Sequence, residues 1–190
     1  MVKVGVLALQ GDFREHMEIL EKIGAFPFEV RLKRELEKAE AIIIPGGEST
    51  TILTLMKENS LFDGVRNLCL EGMPCFGTCS GIILLSKESS EMEDTLGLVN
   101  IRVRRNAYGR QRESFEEDVE LSWSDEPFPG VFIRAPRIEK VGEGVEILGR
   151  IKDEPVLVRQ GNIMGATFHP ELTEDTRIHK YFLTEVRGDA

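Results

Sequence analysis

The sequence predicts an α/β fold: a three-layer α/β/α open sheet, mainly parallel, with an antiparallel extension in the C-terminal half. Three observations carry this. Through residue 86, short apolar β-branched runs alternate with amphipathic helical patterns, which implies a parallel sheet covered on both faces. Past Gly97 the pattern changes to short strand-like runs separated by turns, which predicts an antiparallel extension or hairpins beside the main sheet. The chain has 190 residues, 41% of them hydrophobic, enough for one full core. No repeat, low-complexity stretch or linker divides it, so residues 1–190 read as a single domain.

Residues 2–9, VKVGVLAL, read as a buried strand, with Gln10-Gly11-Asp12 as the turn after it. In residues 13–23, Phe13, Met17, Ile19, Leu20 and Ile23 recur at roughly helical spacing, and Gly24 ends that helix. Residues 27–32 and 41–44 read as the second and third strands, the third bounded by Pro45-Gly46-Gly47. Ser49-Thr50-Thr51 then caps a helix running to Asn59. Residues 61–71 form a further helix closed by Gly72, residues 74–77 a fourth strand, and residues 80–86 the helix after it. Strand-like runs follow at 119–123, 131–134, 145–151, 155–160 and 163–168. Turns at Glu143-Gly144, Lys152-Asp153 and Gly161-Asn162 separate the later ones, and residues 175–187 close the chain as a helix.

Composition removes several function classes. The formal net charge of −9 argues against a general nucleic-acid binder, whose affinity comes mostly from neutralising phosphates. No apolar run is long enough to span a membrane, and the first residues lack the form of a secretory signal, so a cytoplasmic protein is expected. The three cysteines, Cys69, Cys75 and Cys79, are an odd number without zinc or redox spacing. No disulfide framework, metal site or cofactor is expected.

Chemistry concentrates in three segments, each at the carboxyl end of an expected strand, where open α/β sheets place their sites. Gly77-Thr78-Cys79-Ser80-Gly81 has the form glycine, any residue, nucleophile, any residue, glycine, between a short strand and a helix. Such a turn lifts the sulfur out of the sheet and sets it at a helix N-terminus, which favours thiolate. Most lone cysteines are packed core thiols; Cys69 and Cys75 fit that role, whereas Cys79 has the glycine frame. A cysteine nucleophile needs a base, and the base needs an orienting group. His169, with Glu171 two residues on, supplies both. Taken alone, His169 would read as an ordinary turn histidine. Of the other two histidines, His16 reads as a surface or interface residue, and His179 lies in the last helix without a distinguishing context. The third segment, residues 44–50, ends a buried strand in Gly46-Gly47, where backbone N–H groups can receive an anion or oxyanion. Its plainer reading is a capped glycine turn. A basic cluster at residues 102–112 reads as a solvated loop, a nucleic-acid patch, or an arginine reaching the carboxylate of a small substrate.

PGGES, GTCSG and HPE in this order resemble the triad glutamine amidotransferases, the Cys-His-Glu class of glutaminase. LALQGDFREH, RNAYGRQ with SFE, GVFIRAP and FHPELTED narrow the resemblance to the glutaminase subunits of pyridoxal 5′-phosphate synthase, over nearly the whole chain. Two mild departures are Ser80 where the family often has Ala, and Tyr108 where Phe is frequent. The resemblance implies a class I glutamine amidotransferase-like sheet. It implies Cys79 as nucleophile, His169 as proton shuttle and Glu171 as orienter, acting on L-glutamine through a glutamyl thioester. It also implies glutamine binding by Gly47, Glu48, Ser49, Arg105, Ile133 and Arg134, and oxyanion donors on the backbone of Gly47 and Ser80. Gln10 matches a family loop near the site at the partner interface. The implied partner is a barrel-shaped, ring-forming synthase subunit that receives the ammonia. Competing readings are a glutaminase serving another synthase, such as that of histidine biosynthesis, a cysteine peptidase or thiol stress protein on a related sheet, and a non-catalytic binding module. The first leaves LQGDFREH and RNAYGRQ unexplained, and the second leaves PGGES and HPE unexplained.

Overall fold

The computed structural model describes residues 1–108, 113–186 and 188. The end of the basic cluster, Gly109 to Arg112, and Arg187 at the end of the expected last helix lie outside the described residues.

The N-terminal half builds β1 (Lys3–Leu7), α1 (Phe13–Lys22), β2 (Phe26–Val30), a single turn α2 (Lys33–Leu36), β3 (Ala41–Ile44), α3 (Ser49–Glu58), α4 (Leu61–Leu70), β4 (Cys75–Thr78) and α5 (Ser80–Leu85). Then come β5 (Ser86–Ser89), β6 (Val99–Arg104), β7 (Ser114–Leu121), β8 (Ser124–Ile133), β9 (Arg137–Val141), β10 (Glu146–Ile151), β11 (Glu154–Gln160) and β12 (Ile163–Ala166). A 3-10 turn at Pro170–Leu172, α6 (Arg177–Tyr181) and a π turn at Phe182–Val186 follow.

The main sheet runs β2-β1-β3-β4-β12-β11-β10-β7-β8. Its first five strands pair in parallel and the remaining pairs are antiparallel. The expected open sheet with an antiparallel extension is therefore present. Alternation along each buried strand divides the core between two faces. Val4, Val6, Ile43, Phe76 and Met164 join Leu20 of α1 and Ile178 of α6 on one face. Ile42, Ile44, Cys75 and Ile163 join Ile52 and Met56 of α3 and Val65 of α4 on the other.

A second sheet, β5-β6-β9, differs from expectation. The sequence pattern marks no strand in these three segments, where polar residues take alternate positions, yet Val99, Ile101, Val103 and Ile138 are buried on the α3/α4 face. The last helix is also shorter than its pattern: regular α geometry stops at Tyr181 and loosens into the π turn. Among the described residues no helix is long and apolar enough to cross a membrane.

Candidate active site

Parallel strands β3, β4 and β12 sit side by side, so the turns after them open onto one rim. The turn after β4 is sharp. Cys79 has φ 51° and ψ −106°, outside the regions comfortable for a residue with a side chain. Its N–H donates to the Ala166 carbonyl of β12 at 2.9 Å. Glycine is required beside it, because a Cβ on Gly81 would lie 2.2 Å from the Ile44 carbonyl oxygen of β3. The elbow expected from GTCSG is thus built by the close approach of β3 to the first turn of α5.

His169 arrives from β12. Its backbone N–H donates to the Val131 carbonyl of β8 at 2.8 Å, and Thr167 N–H donates to Val156 of β11 at 2.9 Å. The antiparallel extension thereby fixes the histidine. Close packing against the β3 turn fixes the ring: a Cβ on Gly46 would meet its Cε1 at 2.5 Å and Cys79 Cβ at 3.2 Å. His169 Nδ1 lies 2.7 Å from Glu171 Oε1, and both residues are 4% exposed. Burial lowers the His169 pKa, but hydrogen bonds with Asp12, Cys79 and Glu171 outweigh it and carry the imidazole well above its ordinary value. Burial also raises the Glu171 carboxyl, and the bond to His169 offsets only part of that. A ring this disposed to hold a proton suits the removal of one from a thiol.

The triad opens into a cleft of about 410 Å³ lined by Gln10, Gly47, Glu48, Ser49, Cys79, Ser80, Arg105, Ile133, Arg134 and His169, with Glu171 behind His169. Every site residue read from the sequence is therefore at or next to one cavity. Cys79 Sγ points at the Ile133 carbonyl, 3.7 Å away, and Arg134 follows with φ 44°. Gln10 reaches across to the β3 turn, where its Oε1 accepts from Glu48 N–H at 2.6 Å.

Glu48 is in a different local role from the one its neighbours suggested. The α3 cap is Glu48, not Ser49-Thr50-Thr51. Its Oε2 accepts from Thr51 N–H at 2.7 Å and from both threonine hydroxyls at 2.6 Å. Its Oε1 accepts from Arg105 Nη2 at 3.0 Å. Burial works against ionisation, but hydrogen bonds from Thr50 and Thr51 bring this carboxyl down to about 2. Arg102 and Arg104 share Glu139 at 3.5 and 3.3 Å and Arg105 pairs with Glu48, so each described arginine of the basic cluster has an acidic partner within the chain.

The sequence reading missed four lining residues: Asp12, Ile83, Asn106 and Leu172. Asp12 matters most, since its Oδ2 lies 3.3 Å from His169 Nδ1. Its place in the turn after β1, two residues past Gln10, was the available signal. Donor atoms of Asp12, His169 and Glu171 lie within 4.8 Å of one another, close enough on distance to hold a cation. The short His169–Glu171 hydrogen bond commits that space to a proton instead. His16 is corrected outright. It is not a surface residue; His16 and His179 are both fully buried.

The chain matches the model of the SNO glutamine amidotransferase family over residues 6–188. It is 51% identical to "Pyridoxal 5′-phosphate synthase subunit PdxT" of Thermosipho africanus, covering 98% of this chain and 100% of the relative. A protein of the same name from Thermus thermophilus is 55% identical, covering 95% of each chain. A solved glutamine amidotransferase superposes with a TM-score of 0.93 at 54% identity, covering 98% of this chain and 99% of that one. PurLQS from Thermotoga maritima, at 18% identity, a TM-score of 0.73 and coverage of 96% and 97%, shares the fold. With the elbow cysteine, the buried His-Glu pair and a full-length match in agreement, the chain belongs to the SNO glutamine amidotransferase family.

Proposed function

We propose that this chain is the glutaminase subunit of a pyridoxal 5′-phosphate synthase, hydrolysing L-glutamine to L-glutamate and ammonia with Cys79, His169 and Glu171. The observation that carries the reading is the strained elbow cysteine in the same cleft as a buried histidine whose Nδ1 is held by a carboxylate. Cys79 Sγ attacks the side-chain amide carbon as His169 takes the thiol proton. His169 passes that proton to the amide nitrogen, the C–N bond breaks, and ammonia leaves a glutamyl thioester. Water then attacks the thioester, with His169 as base, and the C–S bond breaks to release glutamate. Backbone N–H groups of Gly47 and Ser80 serve as oxyanion donors. Gln10 accepts from Glu48 N–H, in the peptide that follows the Gly47 donor, and so helps to hold the turn that carries it. Arg105, Arg134, Ile133 and Ser49 hold the amino-acid end of glutamine, with Glu48 orienting Arg105.

The relatives named as synthase subunits bring a partner synthase with the reading. We take that partner to be the barrel-shaped, ring-forming subunit, docked over the cleft so that ammonia enters it rather than cytoplasmic water. Ammonia release from glutamine, measured with and without the synthase subunit and with Cys79→Ala as control, tests this. The expected result is slow turnover alone, acceleration on docking and none with Cys79→Ala. Release that survives Cys79→Ala would remove the nucleophile. Peptide cleavage without glutamine hydrolysis would favour the peptidase reading.

A further inference from the structure

Behind the triad, on the side away from the cleft, three buried polar side chains from three elements meet. His16 comes from α1, Thr78 from the last position of β4 beside the nucleophile, and His179 from α6; all are 0% exposed. His16 Nδ1 lies 2.9 Å from His179 Nε2, and His16 Nε2 lies 3.0 Å from Thr78 Oγ1 and 3.4 Å from Glu171 Oε2. Glu171 Oε2 and His179 Nδ1 are buried and have no hydrogen-bond partner among the described residues. A carboxylate wholly out of water with one oxygen unserved is costly, so whatever faces Oε2 decides whether Glu171 stays ionised.

Two neutral arrangements fit the His16–His179 contact. In one, His16 carries its proton on Nδ1 and donates to His179. That places a bare nitrogen lone pair towards Glu171 Oε2 and leaves His179 Nδ1–H a buried donor with no acceptor. In the other, His179 Nε2–H donates to His16 Nδ1, and His16 Nε2–H points between Thr78 Oγ1 and Glu171 Oε2. The second puts a donor beside the carboxylate and orphans only an acceptor, so it is the cheaper. Burial keeps both histidines neutral, which permits the arrangement without adding a charge.

We propose that His16 and His179 are positioning residues for the triad. His179 fixes the tautomer of His16, and His16 presents Nε2–H to the Glu171 carboxylate, holding it ionised and aimed at His169. This rests on the triad reading above. It extends the line of contacts from Cys79 through His169 and Glu171 into the core on the α1/α6 face of the main sheet, and ties α1 and α6 to the reacting atoms. The titratable groups facing Glu171 are His169 and Asp12 on the cleft side, His16 from α1 and, through it, His179 from α6.

The test is glutamine hydrolysis by the full chain with its synthase partner, over about pH 5.5 to 9. His16→Leu removes the donor, so protonated Glu171 becomes more favoured. The expected result is kcat down about tenfold near neutrality, KM within about twofold of the parent, and the acid limb of kcat moved up by about one unit. His16→Gln, whose amide N–H can occupy the Nε2 position, is expected to recover most of both effects. His179→Phe should fall between them. An acid limb unchanged in His16→Leu, or no recovery with Gln, overturns the proposal and leaves a packing role. A parent that does not hydrolyse glutamine, or a Cys79→Ala variant that does, would instead remove the triad reading itself. Should the variants not fold, imidazole nitrogen NMR of the parent still decides. Neutral Nε2–H on His16 is expected, and Nδ1–H or an imidazolium there overturns the proposal.

Discussion

At Cys79 the chain accepts φ 51° in a residue that carries a side chain. Such a conformation costs on the order of 1–3 kcal/mol and persists only where neighbours leave no alternative. Here they are the Cys79 N–H bond to Ala166 and the contact of Gly81 with Ile44 O. The obstacle at Gly81 is backbone, which cannot swing aside. Gly81→Ala should therefore cost about 1–3 kcal/mol in urea unfolding and also lower the glutaminase rate per folded molecule. Gly24→Ala is the control: its φ of 81° makes an alanine strained, but nothing lies within 4 Å of the added carbon, so stability should fall without loss of that rate. An equal rate per folded molecule in the two variants would separate the elbow from the chemistry. GTCSG and HPE were legible because their spacing is local. His16 was not, because Arg14 and Glu15 beside it read as a solvated stretch. Its partners Thr78 and His179 are 62 and 163 residues away, and the available hint was its spacing of three from Ile19 and four from Leu20 on the buried face.

The helix α3 shows how one residue serves both an element and the site. Glu48 accepts two backbone N–H groups at the N-terminus of α3 and holds Arg105 at 3.0 Å. Glu48→Ala is expected to cost about 1 kcal/mol, an ordinary capping loss, and to raise KM for glutamine as Arg105 loses its anchor. Because the carboxyl is held down near 2, its contribution is present above the ordinary glutamate value and is lost as pH falls towards 2. The gap between parent and variant should therefore narrow on the acid side. The side chain is 45% exposed, so solvent screening limits the effect to that scale. A gap that widened with acid would contradict the cap. The expected Ser-Thr-Thr cap was one position late, since a glutamate seldom takes that role. Strand β8 was legible only at its end because Pro127 and Pro129 interrupt the pattern. It is an edge strand, whose outer N–H groups need no partner, so prolines are tolerated.

Across the whole molecule, the buried histidine pair makes stability depend on pH in a direction the composition does not reveal. His16 and His179 sit where α1, α6 and the centre of the main sheet meet, within the core of one face. Burial first, and for His16 the charges it would share with His179 and His169, hold His16 well below the ordinary histidine value; burial alone takes His179 to about 3. Unfolding exposes both rings to water, where each binds a proton below about pH 6.5. At these two sites the unfolded chain then holds more protons than the folded one, so their contribution is complete above that pH and declines as pH falls towards the folded values. Each histidine approaches a slope of about 1.4 kcal/mol per pH unit in that window. His169 works the other way: its pKa is raised, so its contribution is complete below about pH 6.5 and is lost as pH rises above that value, which places the measurement on the acid side. Urea midpoints taken between about pH 6 and pH 5 should therefore fall in the parent. His179→Phe removes one of the two sites, so the slope should drop by about 1.4 kcal/mol per pH unit, whatever the variant does to stability at neutral pH. A slope left unchanged by that substitution would mean that the acid sensitivity lies elsewhere and that the pair is not held neutral by the core.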